Sequence, residues 1–150
     1  MNEFDKYRKG EKLKVNQLAN DLHTSAHTVR FYTRIGFLEP AKDKVNGYKE
    51  YGQKEKARLR FILSARQLGF TVIDIGKIIQ EADKGNTPCP LTREIVRRRL
   101  KETEFQFEEV TALRKRMETA VAQWREQPNK APTGNMICHL IENFQSQPQR

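Results

Sequence analysis

Cys89 and Cys138 are the only cysteines of this 150-residue chain, and His23, His27 and His139 its only histidines. Thiols and imidazoles are the groups that could act as nucleophiles, bases or soft metal donors. Nothing around them reads as an enzyme. There is no glycine-rich phosphate loop and no nucleophile motif. His23 and His27 fall inside a basic stretch, where a catalytic pairing is a poor expectation. Two thiols in a chain with no apolar signal core at its start (MNEFDKYRKGEKLK) are expected to stay reduced, in a cytoplasmic protein. No apolar run approaches the roughly 20 residues of a membrane span.

The second chemical feature is the stretch Ser25–Pro40, SAHTVRFYTRIGFLEP, which sets Arg30 and Arg34 beside Phe31 and Tyr32. The net charge is +9 and unevenly spread. Residues 1–70 hold 15 Lys/Arg and 8 Asp/Glu, while residues 71–150 hold 13 and 11. A basic half followed by a nearly neutral half is the electrostatic footprint of a nucleic-acid-binding module joined to another element. Hydrophobic residues at 37% and charged residues at 31% fit a surface-rich shape, such as one with a long exposed helix.

These residues need elements to position them. Val15, Leu18, Ala19 and Leu22 recur at helical spacing, and His23-Thr24 interrupt. Ser25 is then a suitable N-cap for a second helix, Ala26 to about Ile35, which Gly36 ends. Two short helices so joined predict a helix-turn-helix. Val29 and Ile35 are expected to pack inward, whereas Tyr32 can serve the core or a contact. Pro40, Asn46-Gly47, Tyr48 and Tyr51 predict a small β-hairpin, a wing, carrying Lys42, Lys44 and Lys49. The spacing predicts a helix over 53–68 with Ala57, Phe61, Ile62, Ala65 and Leu68 on one face. Another follows, capped by Thr71, with Ile75, Ile78 and Ile79 inward, up to Lys84-Gly85. Residues 85–90 (GNTPCP) read as a linker. From Leu91 to about Glu126 a long helix is expected. Positions 96, 100, 103, 107, 110, 114, 117, 121 and 124 alternate steps of four and three, and seven of the nine are apolar. That is a coiled-coil seam. A helix of this length is about 50 Å long, so a partner helix from a second copy is the economical cover. Residues 127–135 read as a loop and 136–144 as a short closing helix.

The expected fold is therefore mainly α: a tail at 1–12, a winged helix-turn-helix DNA-binding domain at 13–85, a dimerisation helix at 91–126, a loop and short helix at 127–144, and a frayed tail at 145–150. This order, with TVRFYTRIGFLEP, NGYKEYGQKEKARLRFI and RQLGFTVIDI, resembles the MerR family of bacterial transcriptional regulators. The resemblance is most specific over residues 13–85 and returns at Cys89 and at CHLIE.

The resemblance implies a homodimer whose long helices pair antiparallel. Such a dimer binds a two-fold promoter element and, when effector-bound, kinks and untwists it. RNA polymerase is thereby engaged indirectly, through promoter DNA. A helix entering the major groove meets a distinct donor/acceptor pattern at each base pair. Ser25, His27 and Thr28 on the first turns are placed for base edges or phosphates, Arg30 for guanine or phosphate, and Phe31 for backbone or a thymine methyl. Tyr48 and Lys49 on the wing are implied to grip phosphates. Asp43 stands where the family often has an arginine.

The family reads its effector at the ends of the dimer helix, and the chain resembles the divalent-metal-sensor branch. Cys89 of one subunit would join Cys138 and His139 of the other, a donor set suited to a divalent metal ion such as zinc. The chain departs from that branch at the helix–loop junction, where Trp124, Arg125 and Glu126 replace the usual cysteine. A thiol-based sensor of electrophiles or oxidants and an organic-ligand-responsive regulator remain alternatives, as does an architectural DNA binder without a switch. Two cysteines per chain do not supply a four-cysteine iron–sulfur cluster within one subunit.

Overall fold

The computed structural model describes residues 10–145. The expected tails fall largely at 1–9 and 146–150, outside the described residues. The order is α1 (Val15–Asp21), α2 (Ala26–Arg34), β1 (Ala41–Lys42), β2 (Lys49–Glu50), α3 (Gln53–Gln67), α4 (Val72–Asp83), α5 (Cys89–Trp124) and α6 (His139–Glu142). The chain divides into two compact units, one ending at Arg99 and one beginning at Leu100. Helix α5 contributes residues to both.

Local rules account for most of the first unit. The Lys14 N–H donates to Gln17 Oε1 at 2.9 Å, closing the start of α1. Ser25 caps α2, its Oγ accepting from Thr28 N at 3.1 Å. His23 makes the turn between them with φ +55, a left-handed conformation in which histidine is one of the few enriched side chains. Strands β1 and β2 pair antiparallel, Ala41 with Glu50 and Lys42 with Lys49. Leu13 adds a bridge to Tyr51 on the other side, with both backbone hydrogen bonds made.

One core holds the unit together. Leu18, Val29, Leu38, Tyr51, Leu59, Ile62, Phe70, Ile75 and Ile95 are all buried within it. The inward face of α3 agrees with the expected one at Ile62 and Ala65 and differs elsewhere. Lys56, Leu59, Ile62 and Ala65 point in, while Ala57, Phe61 and Leu68 are exposed. Both faces offer apolar residues, and Lys56 can face in because its ammonium meets Asp21 Oδ2 at 3.4 Å. Ile35 is likewise exposed, lying past the last turn of α2 as its C-cap. Ile75, Ile78 and Ile79 of α4 turn inward as their spacing implies.

Helix α5 begins at Cys89, two residues earlier than its periodicity indicates. Pro90 sits in the first turn, where its missing N–H costs nothing, and Thr92 N and Oγ1 both donate to the Pro88 carbonyl. Leu91 and Ile95 anchor these turns in the core. Beside them Asp74, 2% exposed, accepts from Arg99 Nη2 at 2.7 Å, Arg99 Nε at 2.9 Å and Arg98 Nη2 at 3.3 Å. Its Oδ2 also accepts from Thr71 N at 2.9 Å, completing the capping box of α4.

Burial acts to raise the Asp74 pKa, but the Thr71 N–H, the Arg99 guanidinium and the Thr71 hydroxyl outweigh it. The carboxyl sits below its ordinary value. A depressed folded pKa contributes stability that is present above the unfolded carboxylate range and lost as pH falls through the folded value. The stability gap between wild type and Asp74→Asn should therefore hold steady near neutrality and narrow once the pH falls below the unfolded carboxylate value of about 3.9. Urea unfolding at a series of pH values measures it. A gap that widens towards acid rules the assignment out.

In the second unit the seam of α5 lies open to solvent in the single chain. Phe107, Val110 and Met117 are 73%, 63% and 58% exposed. Trp124 meets Phe144 edge to face at 6.1 Å, and Gln123 Nε2 donates to the Gln145 carbonyl. The closing helix is narrower than expected, His139–Glu142. The Glu142 carboxylate folds back to accept from Ile137 N and Cys138 N at 3.0 and 2.8 Å.

Candidate DNA interface and effector region

A groove of about 860 Å³ runs between α2 and the wing in the first unit. Lys14, Arg30, Arg34 and Lys49 bring four cations to its walls, with Asn16 and Tyr48 between them. Its shape depends on two devices. Tyr51, buried beneath the wing, places its hydroxyl 2.8 Å from Thr33 Oγ1. Thr33 Oγ1 donates to Val29 O, so Tyr51 is the donor to Thr33 and β2 is tied to α2. At the wing tip the Asp43 carboxylate accepts from Val45 N at 2.7 Å, and Gly47 turns the chain with φ +71. The Val45 N–H holds the Asp43 carboxyl below its ordinary value. Asp43 thus builds the turn that presents Lys42, Lys44 and Lys49.

Arg30, Tyr48 and Lys49 line this one groove. Ser25, His27 and Thr28 lie on the first turn of α2. Ser25 Oγ is 2.9 Å from Thr28 Oγ1, so each hydroxyl has a partner already, and His27 is exposed. Phe31 is half-buried against the core, edge-on to Tyr32 at 5.1 Å. Two groove residues were missed by sequence reasoning, Lys14 and Asn16, and a third, Arg34, was noted for its charge but given no contact. Arg34 follows Arg30 by four and so shares its face. Lys14 and Asn16 reach the groove only through the fold, where Lys14 Nζ lies 5.5 Å from the Tyr48 ring centroid.

In the effector region, Cys89 is exposed at the first residue of α5 and belongs to the first unit. Cys138 and His139 belong to the second. Cys138 is half-buried. His139 is buried, with Nε2 2.9 Å from the Pro128 carbonyl oxygen. A carbonyl only accepts, so Nε2 carries a proton, and in the neutral ring the lone pair is on Nδ1. That is how a ligating imidazole is oriented by a backbone partner. Among the described residues no group of three His, Cys, Asp or Glu side chains is placed to hold a metal ion.

Residues 13–82 match the MerR HTH family regulatory protein family and residues 56–120 the family described as MerR, DNA binding. The mercuric resistance operon regulatory protein of Serratia marcescens is 31% identical over 138 residues, covering 91% of this chain and 90% of that protein. The chain belongs to the MerR family. The HTH-type transcriptional regulator ZntR of Escherichia coli is 28% identical over 106 residues, 70% of this chain and 75% of that one. The fold is also that of a transcription regulator from Ralstonia metallidurans solved in complex with lead(II), at a TM-score of 0.67 and 22% identity, covering 89% of this chain and 99% of that one. As a MerR-family member the protein is a DNA-binding transcriptional regulator and not an enzyme. Among the described residues no helix is long and apolar enough to cross a membrane.

Proposed function

We propose that the protein acts as a homodimer that grips a two-fold promoter element and distorts it in response to an effector. The observation that carries the DNA side of this reading is the groove whose walls hold Lys14, Arg30, Arg34 and Lys49. Phosphate contacts fix register, while side chains on α2 read base edges. Distorting a site of this kind costs about 1–6 kcal/mol by elastic estimates, to be met by contacts that differ between effector-free and effector-bound states. RNA polymerase then responds to the reshaped DNA. The dimer reading is supported by the exposed apolar seam of α5.

The effector favoured by the donor set is a divalent metal ion such as zinc, held by Cys89 of one subunit with Cys138 and His139 of the other. Relatives named for mercuric resistance support a thiol-binding metal ion. The second reading is thiol chemistry with an electrophile or oxidant, favoured by the exposure of Cys89 at a helix start.

Arg30→Ala should weaken binding by about 1–3 kcal/mol and relax base preference at its contact. Lys49→Ala should weaken binding evenly across sequences and lower the salt slope by about 1. Fluorescence anisotropy with a duplex selected by the wild-type protein from a randomised library, at several salt concentrations, measures both. Unchanged affinity in both variants rejects the groove as the interface.

A further inference from the structure

We infer that Asp74, Arg98 and Arg99 form a clamp that sets the half-site spacing the dimer accepts. This rests on the homodimer reading above. The clamp joins α4, inside the DNA-binding unit, to the first turns of α5. One carboxylate holds two successive arginines, Arg99 through two hydrogen bonds and Arg98 through one. Successive helical residues point about 100° apart. A helix whose neighbouring side chains both reach one buried oxygen pair cannot turn about its own axis without releasing one of them. Leu91 and Ile95 dock the same face in the core. Around the helix, at about 100° per residue, the exposed seam residue Leu100 lies roughly opposite Leu91, Ile95 and Arg98, while Val96, three residues before Arg99, borders its face. The clamp therefore relates the face that touches the DNA-binding unit to the face that would meet a second copy.

The oxygen that holds Arg99 is also anchored within α4. Oδ2 accepts from Thr71 N and lies within the capping box that starts α4, so it has no freedom to follow the arginines. Neither local helix formation nor core packing requires this arrangement. Ile95 and Leu91 alone would dock α5 but would tolerate rolling, because apolar contacts have no preferred direction. A charge-assisted fork does have one. In a dimer, a roll of each α5 against its DNA-binding unit moves the two recognition helices apart or together. One base pair is a shift of only about 3.4 Å, so a small roll is enough to change the preferred spacing. Asp74, Arg98 and Arg99 are positioning residues and touch no DNA in this reading.

The test uses the full-length protein and three versions of the wild-type-selected two-fold duplex: its own centre-to-centre spacing, one base pair shorter and one longer. Binding to a duplex carrying a single half-site, and thermal melting, are measured alongside. The variants are Asp74→Asn, whose amide oxygen can still accept from Thr71 N, and the double variant Arg98→Gln/Arg99→Gln. Wild type should lose at least about tenfold in affinity on a one-base-pair change. The variants should lose no more than about threefold, with half-site affinity unchanged. A helix-stabilising role alone would lower melting temperature and leave the spacing ratio where it was. If Asp74→Asn fails to fold, the arginine variant decides, since its changes lie on exposed and half-buried side chains. Variants that keep the wild-type ratio overturn the clamp and leave the homodimer reading standing. A wild type that binds the half-site as tightly as the two-fold duplex removes both.

Discussion

Val110→Glu combined with Met117→Glu should turn the protein into a monomer that no longer holds a two-fold duplex. The two positions stand one heptad apart on the seam of α5 and are mostly exposed in the single chain. Their apolar area is therefore available to a second copy, at about 25 cal/mol per Å² removed from water. Two-fold symmetry doubles the effect, because each substitution occurs on both helices and four carboxylates enter one seam. An unpaired charge in a dry contact costs about 3–5 kcal/mol when its surroundings cannot adjust. Even a fraction of that, about 4 kcal/mol in all, raises a dimer dissociation constant about 1,000-fold. Sedimentation velocity at micromolar concentration should show a single monomeric species, while the DNA-binding unit, whose core lies before residue 100, remains folded. Binding to the two-fold duplex should fall to the half-site level. A monomeric wild type, or a dimeric variant, would end the seam assignment.

Cys89→Ser and Cys138→Ser should each abolish induction while leaving DNA affinity within about threefold of wild type. Neither thiol lines the groove between α2 and the wing, so the loss would fall on coupling, a free energy separate from affinity. Transcription in vitro with zinc as the probe metal reads the first quantity and anisotropy the second. A mixed dimer sharpens the result. With Cys89→Ser in one subunit and Cys138→Ser in the other, one complete shared site remains and the other loses both thiols. Zinc stoichiometry should drop to half that of wild type. No binding at all in the mixed dimer would refute a site shared across subunits. His139→Ala should weaken zinc binding if Nδ1 is a donor, and should leave thiol reactivity with an electrophile unchanged. Because the His139 ring also bonds to Pro128, the same variant should be checked for intact folding by thermal melting.

Features that depend on neighbours three or four residues away were legible in the sequence. Ser25 and Thr71 cap their helices as expected, since an N-cap needs only the hydroxyl and an N–H three residues on. The helix-turn-helix, the wing turn at Asn46-Gly47 and the long apolar period of α5 follow from spacing of the same kind. The family could be named from these stretches. The exposure of the seam agrees with its reading as a surface awaiting cover, because period-3.5 apolar residues on a helix this long exceed what one small core can bury.

Tertiary structure decided which of several permitted faces is used and which distant groups meet. On α3, Ala57, Phe61 and Leu68 were expected inward beside Ile62 and Ala65, but only the last two are buried, together with Leu59. The choice went to the face where Lys56 could pair with Asp21, 35 residues away. Tyr51 looked like a strand residue, but its link to Thr33 spans 18 residues and has no local signature. Lys14 joins the groove although it precedes α1, and Asp74 joins Arg98 and Arg99 across 24 and 25 residues. Local spacing determines a helix and its caps because the partners are bound to be near. The partners of a buried charge are near only once the chain has packed, and that is why the groove and the clamp belong to the fold, while the elements that carry them belong to the sequence.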